Sequence, residues 1–114
     1  MKNVTLDDLV LIALFGSMQE IREGAATKAI ARRIAKRDSP HKYERLLDLA
    51  RYALVSEDIK EKAAEKAING YIANHFFANL AYLTRDEGLS GAIKEKAATA
   101  AIDMCVAGVA ESSY

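Results

Sequence analysis

The chain reads as all-α: five to six helices in two and a half to three stacked antiparallel hairpins, a short α-solenoid. Three observations predict this. Apolar residues recur at helical spacing along the chain, and no run alternates with period two. The stretch IKEKAAEKAI at 59–68 returns as IKEKAATAAI at 93–102 and, more loosely, as IREGAATKAI at 21–30. The copies start 38 and then 34 residues apart, and self-similarity at such a period marks stacked helical units.

The elements follow in order from their start and stop signals. Thr5 with Asp8 makes a capping box that opens a first helix over 6–15. Gly16 is placed to end it as a left-handed C-cap. Ser17 with Glu20 forms a second S-x-x-E box, predicting a helix that runs to about Arg37. Ser39 precedes Pro40, a favoured first helical residue, so a third helix runs from there to about Val55. Ser56 or Asp58 caps a fourth, with Glu61 as box partner for Asp58. From 59 to 84 no strong breaker appears, which fits one long helix or two joined near Asn74. The Asn69-Gly70 pair has helical flanks, so Gly70 is read as a tolerated glycine or a kink. Gly88 ends this stretch, and a last helix runs from about Ala92 to Ala110. The whole chain, 1–114, makes a single domain of repeat units near 5–38, 40–74 and 75–111.

The shared positions are mechanical. Ile59, Ala63 and Ala67 follow one helical strip, with Ala64 and Ile68 beside it, so the small residues admit another helix closely. Glu61, Lys62, Glu65 and Lys66 are expected on the opposite, solvated side. This pattern resembles HEAT-type repeats, whose second helix opens on an apolar–basic pair and continues with spaced alanines and an aliphatic residue. Ile21-Arg22, Ile59-Lys60 and Ile93-Lys94 match that pair. Ser56, Ser90 and Met18 stand where the family carries its turn Asp, the Asp-Pro turn is missing, and the aliphatic ending comes one residue late. The resemblance implies a binding scaffold.

Composition narrows the function. Sixteen basic and sixteen acidic residues cancel, which removes any general charge argument for nucleic acid or membrane. A lone cysteine, Cys105, makes no internal disulfide and suits a reducing compartment, so a cytoplasmic protein is expected. The apolar run at 9–15 is too short to cross a bilayer and lacks the basic flank of a signal peptide, so no membrane partner is expected. There is no H-E-x-x-H, C-x-x-C, nucleophile elbow or Gly-rich phosphate loop, so no catalytic residue, metal or cofactor is assigned.

Three surfaces remain. Lys28, Arg32, Arg33, Lys36, Arg37, Lys42 and Arg45 crowd 28–45 and make a basic face that suits phosphates or an acidic partner, or simply a solvated helix end. Met104, Cys105, Val106 and Val109 lie in a helix apolar nearly all round, a packing or dimer face, with Cys105 read as core. Tyr71, His75 and Tyr82 can line a groove, or stand as half-buried side chains. The expected role is a non-catalytic adaptor with a protein partner, homodimeric through its apolar ends. A nucleic-acid binder using the basic face is the alternative, and a small helical enzyme is a remote third. Function is expected where the copies differ: 32–37, 71–75 and 104–109.

Overall fold

In the computed structural model, which describes residues 4–34 and 40–107, side-chain caps open three of the helices, two of them at the predicted Thr5 and Ser56. Helix α1 (Leu6–Phe15) opens on the Thr5–Asp8 box, with Thr5 N donating to Asp8 Oδ2 at 3.0 Å and Asp8 N to Thr5 Oγ1 at 3.1 Å. Helix α3 starts at Pro40 and ends at Tyr52 (Pro40–Tyr52). Ser56 caps α4 (Glu57–Ala73) through Ile59 N, and Ser90 caps α6 (Gly91–Val106) through Ile93 N. These two caps fall at the same register of the repeat. In the first copy that register belongs to Met18, so α2 (Gln19–Ala31) starts there without a side-chain cap, and the Ser17–Glu20 box is not used.

Several ends differ from expectation. Gly16 is extended, not left-handed (φ −60°, ψ 144°); its N–H reaches Ile12 O at 2.8 Å, and a Cβ would stand 2.6 Å from that oxygen. The glycine supplies room rather than positive φ. Helix α2 stops at Ala31, with Arg32 extended as its C-cap, well short of Arg37. The 59–84 stretch is two helices: α4 ends at Ala73, and α5 (Phe77–Leu83) ends before Gly88, which lies in the following turn.

The break after α4 has a defined chemistry. His75 takes the left-handed conformation (φ 58°) while His75 N bonds Ile72 O at 3.2 Å and Phe76 N bonds Tyr71 O at 2.8 Å. This is a Schellman closure, with His at the position glycine usually fills. The ring of Phe76 stacks edge-on against Tyr71, 6.1 Å between centroids, supplying the apolar contact that accompanies such closures.

Consecutive helices pair as hairpins: α1 with α2, α3 with α4, α5 with α6. Helix α3 also packs on α1, while α2, α4 and α6 follow one another in a second layer. The described residues are thus all-α, six helices and no strand, in a body 45 × 31 × 16 Å across. None of these helices is long and apolar enough to cross a membrane. Ala26, Ala29, Ala63, Ala64, Ala67 and Ala97 are fully buried, as are Leu46, Leu47 and Leu49 of α3, which fill the space between the layers. Gly70 extends the same logic: a Cβ there would overlap the ring of Tyr43, which lies against α4.

Gly70→Ala therefore should lose about 1–2 kcal/mol in urea unfolding, because overpacking outweighs the helix-propensity gain. In a Tyr43→Leu background the same change should become neutral or stabilising. His75→Gly should gain up to about 1 kcal/mol by releasing left-handed strain.

Candidate functional site

The basic cluster does not form the continuous helical face that the sequence suggests. Because α2 ends at Ala31, only Lys28 is on the helix; Arg32 and Arg33 follow it on extended chain, all three exposed. Lys36 and Arg37 lie outside the described residues. Arg45 is engaged with Asp48 at 3.2 Å and Asp7 at 3.6 Å. Arg32, Arg33, His41 and half-buried Lys42 border a cleft of about 250 Å³ against the start of α1, where Asp7 sits 3.4 Å from His41 Nε2.

The apolar C-terminal set also separates. Met104 is buried, whereas Cys105 is exposed rather than core, and Val106 is 82% exposed. Val109 lies outside the described residues. Helix α6 is the last described element, and among the described residues no further helix packs on this side.

Nor do the three groove candidates meet. Tyr82 is 71% exposed on α5, His75 stands in the α4–α5 link, and Tyr71 is fully buried. The Tyr71 hydroxyl donates to Glu44 Oε1 at 3.0 Å, and its ring meets Tyr43 edge-on at 5.6 Å. Burial, reinforced by the Glu44 charge, pushes this phenol well above its usual range. Glu44 also accepts from Arg51, whose guanidinium reaches Asp48 at 3.1 Å and Asp86 at 2.6 Å. Burial opposes the Arg51 charge, but the Asp86 hydrogen bond and the fields of Glu44 and Asp86 outweigh it and hold that charge more firmly. Asp86 in turn accepts from Gly88 N at 2.9 Å. The network fastens the 84–90 turn to α3.

Two lysines of the repeated segments also act as braces. Lys66, expected on the solvated side, is half-buried and donates to the carbonyls of Ile30 and Arg32 at the end of α2. That desolvation lowers its pKa. Lys96 is held by Glu65 and Glu61, and those hydrogen bonds raise its pKa.

A larger concavity than the basic cleft brings together two candidates from different sets, His75 and Met104, with residues that belong to no candidate set. Two helical strips face each other: Glu65, Ile68, Asn69 and Ile72 on α4, and Ala92, Glu95, Lys96, Thr99, Ala100, Asp103 and Met104 on α6. They enclose an open groove of about 930 Å³, with His75 and Ala107 at one end. One sequence signal marks it. The eighth position of the repeat is Lys28, Lys66 and then Ala100. Lys66 spans from α4 to α2, and at the equivalent place between α6 and α4 the side chain is a methyl group. Among the described residues, no group of three His, Cys, Asp or Glu side chains is placed to hold a metal. The chain finds no match among protein-family models, curated proteins or solved structures.

Arg51→Met should cost about 2–3 kcal/mol in denaturant unfolding, since charge-assisted bonds are lost and Glu44 and Asp86 lose the cation that pairs with them. The raised Tyr71 pKa carries a sign. The unfolded chain loses this proton near pH 10 while the folded chain retains it, so stability should fall above about pH 10. Thermal melts between pH 8 and 11 should show that decline in the wild type and a smaller one in Tyr71→Phe.

Proposed function

We propose that the chain is a protein-interaction module, working without catalysis and associating as a homodimer through the uncovered ends of its helical stack. One observation carries this reading. Leu11, Ile12, Phe15, Met18 and Ile21 are exposed on the first hairpin, and Ile102 and Val106 on the last helix. A helical stack normally ends in polar capping units, and large apolar patches left bare are association surfaces. The paired hairpins, the single layer of second helices and the shared Ser56 and Ser90 caps favour a HEAT-like solenoid as the scaffold. An exposed free thiol at Cys105 suits the reducing cytoplasm.

A second reading has a narrower base. Lys28, Arg32 and Arg33 are exposed, and the two arginines line one cleft, so a phosphate backbone has cations to meet. Its reach is short, because Arg45, Arg51, Lys66 and Lys96 already hold protein groups.

Sedimentation equilibrium at micromolar concentration should give twice the 12.5 kDa protomer mass, and a single protomer mass would sink the dimer. Phe15→Ser combined with Val106→Ser should shift the chain to monomer at unchanged helicity. For the second reading, DNA and RNA binding should weaken steeply as salt rises. Binding left intact by Lys28→Ala, Arg32→Ala and Arg33→Ala together would remove it.

A further inference from the structure

We propose that the groove between α4 and α6 receives a basic amphipathic helix from a partner protein. The inference rests on the interaction-module reading and names the partner for one face of it.

The groove floor is apolar, formed by Ile68, Ile72, Ala100 and Met104. Its rim is acidic. Glu65, Glu95 and Asp103 face one ammonium, Lys96, so three carboxylates against one cation leave two negative charges unbalanced. Lys96 is moreover occupied by Glu61 and Glu65, while Glu95 and Asp103 have no ion pair among the described residues. An incoming segment therefore meets apolar anchors below and free carboxylates beside them. That complementarity selects Lys or Arg flanking an apolar stripe, and it disfavours acidic chains and nucleic acid.

Shape points the same way. The groove is long, open and walled by two helices, so it would leave a small molecule largely wet. A helix laid along it presents its own i, i+3, i+4 and i+7 residues to both walls. The opening itself comes from the repeat. Where Lys66 closes the corresponding space between α4 and α2, Ala100 leaves it open.

The test is an unbiased selection on the full chain, from a display library of helical peptides of about 18 residues, roughly 27 Å long. Enriched sequences should carry an apolar i, i+3/i+4, i+7 stripe bordered by Lys or Arg. Their affinity, read by fluorescence anisotropy, should fall about tenfold or more with Ala100→Lys, which fills the groove. It should fall similarly with Glu95→Lys plus Asp103→Lys, which reverses its rim. Tyr52→Ser, an exposed position at the end of α3 outside the groove, should leave it unchanged. Circular dichroism melts establish that the variants are folded. No enrichment, enrichment of acidic or uncharged peptides, or binding that survives both groove variants overturns the proposal. So does a dimer that Ala100→Lys turns into monomer, since a second copy would then occupy the groove. A wild-type monomer that still selects basic helices through the groove would remove the dimer alone.

Discussion

The fold depends on how closely alanine lets the second helix of each hairpin approach its neighbours. Ala25, Ala26 and Ala29, then Ala63, Ala64 and Ala67, then Ala97 and Ala101 are buried at the same positions of successive copies. A methyl side chain keeps helix axes close, so a larger residue at any of these positions would force the layers apart. Alanine, however, contributes little apolar area of its own. The burial is supplied from the other layer, where Leu46, Leu47 and Leu49 of α3 are fully enclosed. Gly70 is the limit of the same rule: there even a methyl group would strike Tyr43.

Close packing leaves the joints between hairpins to polar groups, and a cation serves at each one. Arg22 donates to Leu54 O at 3.1 Å and Gly16 O at 2.9 Å, tying the first turn to the second. Lys66 holds the end of α2, Arg51 the turn before α6, and Lys96 the start of α4. Their worth differs. The Arg51 side chain is only 12% exposed, so its bonds lie in low dielectric and fix geometry, whereas the exposed Lys96 pairs contribute little. Among the described residues, Arg22, Arg45, Arg51, Lys66 and Lys96 are thus committed to protein groups.

The repeat made the architecture legible, and local signals misled where tertiary contacts overruled them. Thr5–Asp8, Ser56 and Ser90 mark helix starts because a cap is a contact within four residues, and Pro40 marks one because its fixed φ suits a first helical position. The end of α2 was not legible: Arg32, Arg33 and Ile34 carry good helical character, yet the chain leaves the helix at Ala31 and Lys66 takes its last carbonyls from 36 and 34 residues away. Cys105 misled for a related reason. An apolar surround implies burial only if another helix follows, and α6 is the last one described. The break near Asn74 was one of two readings, and His75 in a glycine position gave no sequence cue.

Internal repetition then does more than build the stack, because one repeated letter meets three environments. The tenth position is half-buried in Ile30, buried in Ile68 and 61% exposed in Ile102. The eighth is exposed in Lys28, a brace in Lys66 and part of a groove floor in Ala100. What changes is the described neighbour in that layer: α2 packs on α4, α4 on both α2 and α6, and α6 on α4. The shared alanines at the fifth and ninth positions are buried in every copy, whereas the eighth and tenth positions depend on the neighbour. In the third copy the same apolar residue, Ile102, is surface, and a single Lys-to-Ala difference opens a groove. Among the described residues, the exposed apolar side chains and the α4–α6 groove thus lie where the copies of the repeat differ in sequence or in neighbour.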